Sequence, residues 1–131
     1  MGLDMYLSGE KFIWTDFVDP QNNPTEDGYR LIGKELRLGY WRKHPNLHGY
    51  IVRTFAEGID ECQCIALSDT DIERIIEAVA RDDLPDTTGF FFGVSDGSEK
   101  DETLRIFRAA LEWLRTEEPL VFRSIYYQAS W

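Results

Sequence analysis

The stretch GYWRKHPNLHGY (residues 39–50) joins a strand-forming segment to a helix-forming segment. Pro45 has the fixed backbone angle that suits the first position of a helix. The residue before a proline, here His44, is biased away from helical geometry, so the two segments meet there. Gly49 inside the helix costs about 1 kcal/mol relative to alanine. The stretch therefore predicts a strand over residues 29–41 and a helix that begins at Pro45.

Apolar residues at helical spacing predict three helices in all. Ser68 and Asp71 form an S-x-x-D capping pattern ahead of the second helix, and Ser98 and Asp101 form the same pattern ahead of the third. Pro119 ends the third helix. The apolar stripes are Leu47, Tyr50, Ile51 and Phe55 in the first helix, Ile72, Ile75, Ile76 and Val79 in the second, and Leu104, Phe107, Leu111 and Leu114 in the third.

The rest of the chain reads as strands and loops. The predicted elements are a hairpin of LDMYL (3–7) and KFIWTDF (11–17) around Ser8-Gly9, a surface loop DPQNNPTEDG (19–28), a short strand CQCIAL (62–67), a buried strand GFFFG (89–93) and a last strand LVFRSIYYQASW (120–131). Because strands and helices do not alternate strictly, we expect one α+β domain over residues 1–131, with about three helices packed on an antiparallel-biased sheet. A doubly wound parallel sheet is the second choice.

The net charge of −10 is unevenly distributed along the chain. Residues 30–53 contain six basic residues and one acid, whereas residues 54–103 contain fourteen acids and three basic residues. Nucleic acid is therefore not expected as a partner, because phosphate contacts need a positive footprint. No segment approaches the ~20 apolar residues that cross a bilayer, and the first residues lack a basic region before an apolar run, so we expect a cytoplasmic protein with no membrane contact.

The basic segment coincides with the predicted helix start, where free backbone N–H groups and the helix dipole favour an anion. Trp41, Arg42, Lys43 and His48 are therefore predicted to line a site for a small anionic ligand, such as a nucleotide or a phosphate metabolite. The competing interpretation is that Arg42 and Lys43 form structural ion pairs, for example with Asp60 or Glu61, and that His48 is either a surface residue or a core residue with its hydrogen bonds satisfied. Asp4, set among apolar neighbours, is a further expected partner of Arg42 or of a tyrosine hydroxyl.

Metal binding and catalysis have weaker sequence support. His44, His48, Cys62 and Cys64 are ligand types that zinc prefers, but the C-x-C spacing differs from the C-x2-C of structural zinc sites. We therefore predict no metal, no cofactor and reduced thiols. A Cys62 nucleophile paired with His48 is disfavoured, because neighbouring acids raise a thiol pKa. No nucleophile, base and orienting group form a recognisable set, so whether the protein is an enzyme stays open.

Five short motifs occur in order: MGLDMYL at the start, GYWRK followed by Leu47 and His48, GIDEC (58–62), GFFFG and a terminal ASW. Together they resemble a family of small proteins found largely in bacteriophages and prophages. Members are sometimes labelled phosphoglycerate kinase, but 131 residues cannot supply the two large lobes of such a kinase, and the chain has no glycine-rich phosphate loop with its lysine.

The phage resemblance suggests a second function. An interaction or inhibitor protein would present the acidic residues 57–102 to a basic surface on a host or defence protein, with electrostatic steering as the mechanism. The sequence leaves the oligomeric state open.

Overall fold

The computed structural model of the chain describes residues 2–14, 24–89 and 93–131. The main sheet contains β1 (Asp4–Ile13), β4 (Gly33–Arg42), β5 (Ile65–Leu67) and β6 (Val121–Ser130), a small hairpin contains β2 (Thr25–Glu26) and β3 (Tyr29–Arg30), and the helices are α1 (Pro45–Phe55), α2 (Asp69–Ala80) and α3 (Lys100–Arg115). The sheet order is β4-β1-β6-β5 and every pairing is antiparallel. The predicted α+β class is confirmed.

One face of the sheet packs against the helices. Side chains alternate between the two faces of a strand, and the odd-numbered residues of β1 and β6 point into the core. The buried core includes Met5, Leu7, Ile125, Tyr127 and Ala129 from these two strands, together with Leu47, Ile51, Ile72, Ile75, Leu104 and Phe107 from the helices. Even-numbered residues of β1 and β6 lie on the opposite face, which we call the outer face.

The predicted hairpin around Ser8-Gly9 is wrong, because β1 runs without a break through both residues. Gly9 faces α3 so closely that a Cβ there would lie 2.7 Å from the Trp113 ring. This glycine therefore makes room for an aromatic ring instead of turning the chain. Residues 15–17 of the predicted second strand, and residues 19–23 of the predicted loop, lie outside the described residues.

The predicted strand over residues 29–41 is two strands. Asp27 and Gly28, both at positive φ, turn β2 into β3, so the end of the predicted loop contributes to a small hairpin. The chain then re-enters the main sheet at Gly33. The pairing of β4 with β1 shifts at Leu38, which is the extra residue of a bulge. The bulge changes which β4 residues face the core, so Gly39 and Trp41 are buried while Tyr40 is exposed.

The three predicted helices are confirmed, with two corrections to the ends of the third. α1 begins at Pro45, and Ser68 and Asp71 form a complete capping box on α2. The second S-x-x-D pattern does not cap α3, because the Ser98 hydroxyl donates to the Asp96 carboxylate instead. That helix ends at Arg115, four residues before Pro119.

The predicted strand over residues 62–67 is shorter than expected. β5 contains only Ile65–Leu67, so Cys62 and Cys64 precede the strand. Cys62 has a φ of +59°, which is not strand geometry. The three phenylalanines of GFFFG, residues 90–92, lie outside the described residues.

Candidate functional site

Trp41 belongs to the core. Its ring is stacked on that of Phe107 with 5.3 Å between the centroids, and its indole Nε1 donates to Thr103 Oγ1 at 2.9 Å. Both partners lie on α3, so Trp41 fixes this helix to β4. A side chain that is 5% exposed and has its one donor satisfied offers nothing to a ligand from solvent.

Arg42 and Lys43 lie at the surface. Arg42 points to the outer face, where its guanidinium is 3.7 Å from the Asp4 carboxylate and its side chain is 55% exposed. Asp4 also accepts a hydrogen bond from the Tyr40 hydroxyl at 2.5 Å, which raises the pKa of Tyr40. Asp4 therefore contacts both kinds of partner expected from the sequence. Lys43 has a positive φ, and its backbone N–H donates to Leu3 O at 2.7 Å.

His48 is buried at the centre of a hydrogen-bonded chain. Its Nδ1 lies 2.6 Å from the Tyr127 hydroxyl, and its Nε2 lies 3.0 Å from Asp60 Oδ2. The other oxygen of Asp60 accepts from the Trp131 indole at 3.2 Å. Burial and, to a smaller degree, the Asp60 charge raise the pKa of Tyr127 well above its usual range, so its hydroxyl stays protonated. This chain ties α1 to the last strand and to the C-terminal residue.

The four predicted site residues are therefore not gathered in one pocket. Trp41 and His48 are inside the molecule with their polar atoms bonded, whereas Arg42 and Lys43 face solvent. The interpretation of His48 as a core residue agrees with the structure, as does an ion pair of Arg42, although its partner is Asp4. Asp60, suggested as a partner of these cations, contacts His48 instead.

The start of α1 does border a cavity of about 220 Å³. His44, Asn46, Asp82, Asp86, Ser95 and Glu99 are among the side chains that line it. The Asn46 backbone N–H, one of the free donors of the helix start, donates to Ser95 Oγ at 3.2 Å. Lys100, the only lysine among the described residues that line the cavity, is held by Asp82 at 3.0 Å. A cavity with three carboxylates around it repels an anion, so the electrostatics here oppose the ligand predicted from the sequence.

His44, Ser95 and Glu99 have the residue types of a catalytic triad but not its geometry. Ser95 Oγ and Glu99 Oε1 both approach His44 Nδ1, at 2.7 Å and 3.2 Å. In a triad the acid and the nucleophile occupy different ring nitrogens, because one nitrogen takes the proton of the nucleophile while the acid holds the N–H of the other. Burial lowers the pKa of His44, and the Glu99 and Asp96 carboxylates oppose this effect only in part. His44 is therefore a neutral, structural residue at neutral pH.

The candidate zinc ligands are also kept apart. His44 and His48 are bonded to separate partners, and Cys62 contributes its carbonyl oxygen, which accepts from the Gln128 amide at 3.0 Å. Within residues 2–14, 24–89 and 93–131, no group of three or more histidine, cysteine or acidic side chains is arranged to hold a metal ion.

An apolar strip at one end of the outer face was not identified from the sequence. Phe12 and Phe122 lie directly opposite each other on β1 and β6 and are 47% and 62% exposed. Trp14 packs edge-on against Phe12, and its backbone N–H donates to Leu120 O at 2.8 Å. We define the apolar strip as Phe12, Trp14, Leu120 and Phe122. The sequence contains a signal for this strip: its residues have even numbers, whereas the core residues of β1 and β6 have odd numbers, so the two sets lie on opposite faces of the sheet.

A large open cleft of about 1220 Å³ lies beside the same end of β6. Its walls are the start of α2, from Ser68 to Asp71, and the end of α3 with the turn that follows, residues 114–119. Its floor includes Val121 to Ile125 of β6. The side chain of Arg123 lies over the Trp113 ring and donates a hydrogen bond to Glu118 at 2.9 Å. Its Nε is buried and has no hydrogen-bond partner among the residues that the structure describes.

Comparison of the chain with protein-family models, with curated proteins and with solved structures finds no match. None of the described helices is both long enough and apolar enough to span a bilayer.

Proposed function

We propose that the protein acts by binding another protein that carries a basic surface. The observation that carries the proposal is the apolar strip. Phe12 and Phe122, which face each other across two paired strands, leave about half or more of their surface in water. Among the described residues, no helix packs on this face of the sheet. Contiguous large apolar side chains on the surface of a soluble domain are typical of a contact with another macromolecule.

The charge of the molecule supports a basic partner. The net charge is −10, and several exposed carboxylates on the helical side, among them Asp83, Asp86 and Asp101, have no basic partner within the described residues. Such a charge accelerates encounter with a positive surface and repels other acidic proteins. The apolar strip would then supply the short-range affinity. The resemblance to bacteriophage proteins makes a bacterial protein the natural candidate.

The small anionic ligand predicted from the sequence has less support. Its side chains do not converge, and the helix start that was to hold it is surrounded by Asp82, Asp86 and Glu99. Exposed Arg42 and Lys43 could still attract an anion, but neither borders a described cavity.

Affinity capture from a bacterial lysate tests the proposal when the strip is varied. The variant Phe12→Ser with Phe122→Ser removes the strip, and Tyr29→Ser, which changes a 79% exposed ring on the small hairpin, is the matched control. We expect the wild type and the control to retain a basic protein that the double variant loses. Recovery should fall as salt is raised, because screening weakens the long-range attraction.

Two results would contradict the proposal. Equal capture by the double variant and the wild type would show that the apolar strip does not contribute to binding. Recovery that is independent of salt would show that the partner is not recognised through a basic surface. Circular dichroism of each variant shows whether a loss of capture reflects a loss of fold.

A further inference from the structure

The edge of β6 is only partly paired on the side away from β1. β5 pairs with β6 at Ile125 to Tyr127 and ends there, whereas β6 begins at Val121. Residues 121–124 therefore have a neighbour on the β1 side and, among the described residues, none on the other. This open edge forms the floor of the large cleft.

The backbone groups that face the cleft can be identified from the register. Trp14 N–H donates to Leu120 O, and each later pair of β1 and β6 follows the same register. Successive residues of an antiparallel strand direct their N–H and C=O groups to opposite sides. Even-numbered residues of β6 therefore face β1, and the odd-numbered Val121 and Arg123 face the cleft. The Val121 N–H donates to Glu118 O at 3.2 Å. The backbone groups that remain open to the cleft, among the described residues, are the Val121 C=O and the N–H and C=O of Arg123.

The other edge of the sheet is protected and this one is not. β4 carries Lys34, Glu35 and Arg37 and is distorted by the bulge at Leu38, and charges and bulges are common devices against strand addition. The open part of β6 has neither a bulge nor a charged side chain on its outer face, where Phe122 and Ser124 lie. A free, regular edge inside a cleft is the arrangement that binds an extended peptide as an added strand.

We propose that residues 121–124 of β6 bind an extended segment of a partner protein as an antiparallel strand that continues β5, with alternating basic and apolar side chains. This inference rests on the proposed function and names its docking site. Side chains of the added strand that point to the outer face lie beside Phe122, which favours apolar residues. Those that point to the helical side meet four carboxylates and two guanidinium groups, which favours basic residues. The charged groups are Asp69, Asp71, Glu117, Glu118, Arg115 and Arg123.

A labelled octapeptide in which lysine and valine alternate, which we call the alternating peptide, tests the inference by fluorescence anisotropy. In an antiparallel pair, the residue opposite Arg123 places its side chain on the helical side and its backbone groups toward β6. The lysines should therefore make the backbone hydrogen bonds. We expect N-methylation of the lysines to weaken binding at least tenfold and N-methylation of the valines to have little effect. A block peptide, with four lysines followed by four valines, should also bind at least tenfold more weakly.

Protein variants test the same site from the other side. Phe122→Ala should weaken binding of the alternating peptide roughly tenfold, whereas Tyr29→Ala should leave it unchanged. Glu117→Lys, at an exposed position of the cleft wall, should weaken binding without any change in the sheet. This second variant keeps the test decisive if Phe122→Ala folds poorly.

Four outcomes would overturn the inference. Equal binding of the alternating peptide and its lysine-methylated form would exclude backbone pairing. Equal binding by wild type and Glu117→Lys would exclude the cleft. Sedimentation that reveals a dimer dissociated by Phe122→Ala, with no peptide binding, would assign the edge to a second copy of this chain. If the peptide fails while capture in the lysate still depends on the apolar strip, strand addition is rejected and the proposed function stands.

Discussion

At the scale of single residues, the most informative side chain is His48. Histidine is a residue type common in functional sites, but the contacts of His48 are those of a structural residue. Both ring nitrogens are bonded, to the Tyr127 hydroxyl and to the Asp60 carboxylate, and the side chain is 2% exposed. Buried polar groups with complete hydrogen bonds fix one packing arrangement, whereas incomplete ones cost free energy. We infer that His48 stabilises the contact between α1 and β6.

His48→Ala is expected to lower the free energy of unfolding by about 3 kcal/mol, because it leaves a cavity and an unsatisfied Tyr127 hydroxyl. Tyr127→Phe removes only the hydroxyl and should cost about 1 to 2 kcal/mol. Urea denaturation of both variants and of the double variant measures the coupling between them. The double variant should cost less than the sum of the two single changes. Strict additivity would mean that the short contact contributes nothing.

His44 differs from His48 in its predicted response to pH. Burial lowers its pKa in the folded protein below the ordinary value, so the folded state binds fewer protons than the unfolded state. The associated stability is fully present above the unfolded pKa of about 6.5 and is lost as the pH falls toward the lower folded value. We expect wild type to lose more unfolding free energy than His44→Gln between pH 7.5 and pH 5. Parallel pH profiles of the two proteins would contradict this.

At the scale of secondary structure elements, identical local patterns have different outcomes. Ser68 accepts from Asp71 N–H at 3.1 Å and caps α2, whereas Ser98 turns to Asp96 and leaves α3 without a side-chain cap. The hydrogen bonds from the Ser98 hydroxyl and backbone lower the pKa of Asp96 to about 2. The difference arises from an acid two residues before Ser98, which competes for the hydroxyl.

Ser68→Ala should therefore destabilise the protein by about 1 kcal/mol through loss of the cap. Ser98→Ala, at the equivalent position of the second pattern, should cost less than about 0.5 kcal/mol, because the residue is exposed and caps nothing. Thermal unfolding of the two variants under one set of conditions compares them directly. Equal losses of stability would mean that Ser98 also supports the start of α3.

Local patterns predicted what depends on neighbouring residues, namely the three helices, the start of α1 and the last strand. They failed where a distant residue decides. Ser8-Gly9 predicts a turn, but the Trp113 ring needs the space that a glycine leaves within a strand. Gly49 seemed a weakness of α1, yet a Cβ there would lie 2.8 Å from Cβ of Thr87, so the glycine is required by packing. Neither Trp113 nor Thr87 is close in sequence.

The side chains of the predicted site do not converge for the same reason. The basic residues of positions 42 and 43 precede the helix start, but the loops that surround this start, residues 82–86 and 95–100, are acidic. A count of charges along the sequence identifies the basic segment and the acidic segment, but it does not show that the acidic loops lie beside the helix start. The apolar strip and the open edge of β6 depend on pairing between β1 and β6, whose partners are separated by more than a hundred residues.

At the scale of the whole molecule, the contacts that stabilise the fold and the surfaces proposed to bind a partner lie in different parts of the sheet. The buried polar chain of His48 and the apolar core lie beneath the paired centre of the sheet, where β1 has neighbours on both sides. The apolar strip, the open edge and the small hairpin lie where pairing ends. Surfaces that bind partners are often drawn from the less stable parts of a fold. The position of the proposed docking site agrees with this division.

Amide hydrogen exchange tests the division directly. β2 and β3 have two residues each, all of them exposed, so their amides should exchange through local opening at nearly the unprotected rate. The amides of Met5 and Leu7, in a strand paired on both sides, should exchange only through global unfolding.

The Arg123 amide, whose N–H faces the cleft, should exchange among the fastest of the β6 amides in the free protein. On addition of the alternating peptide it should slow markedly, because an added strand would accept its hydrogen bond, whereas the amide of Tyr29, which does not line the cleft, should not change. An Arg123 amide already as protected as that of Tyr127 would mean that this edge of the sheet is closed.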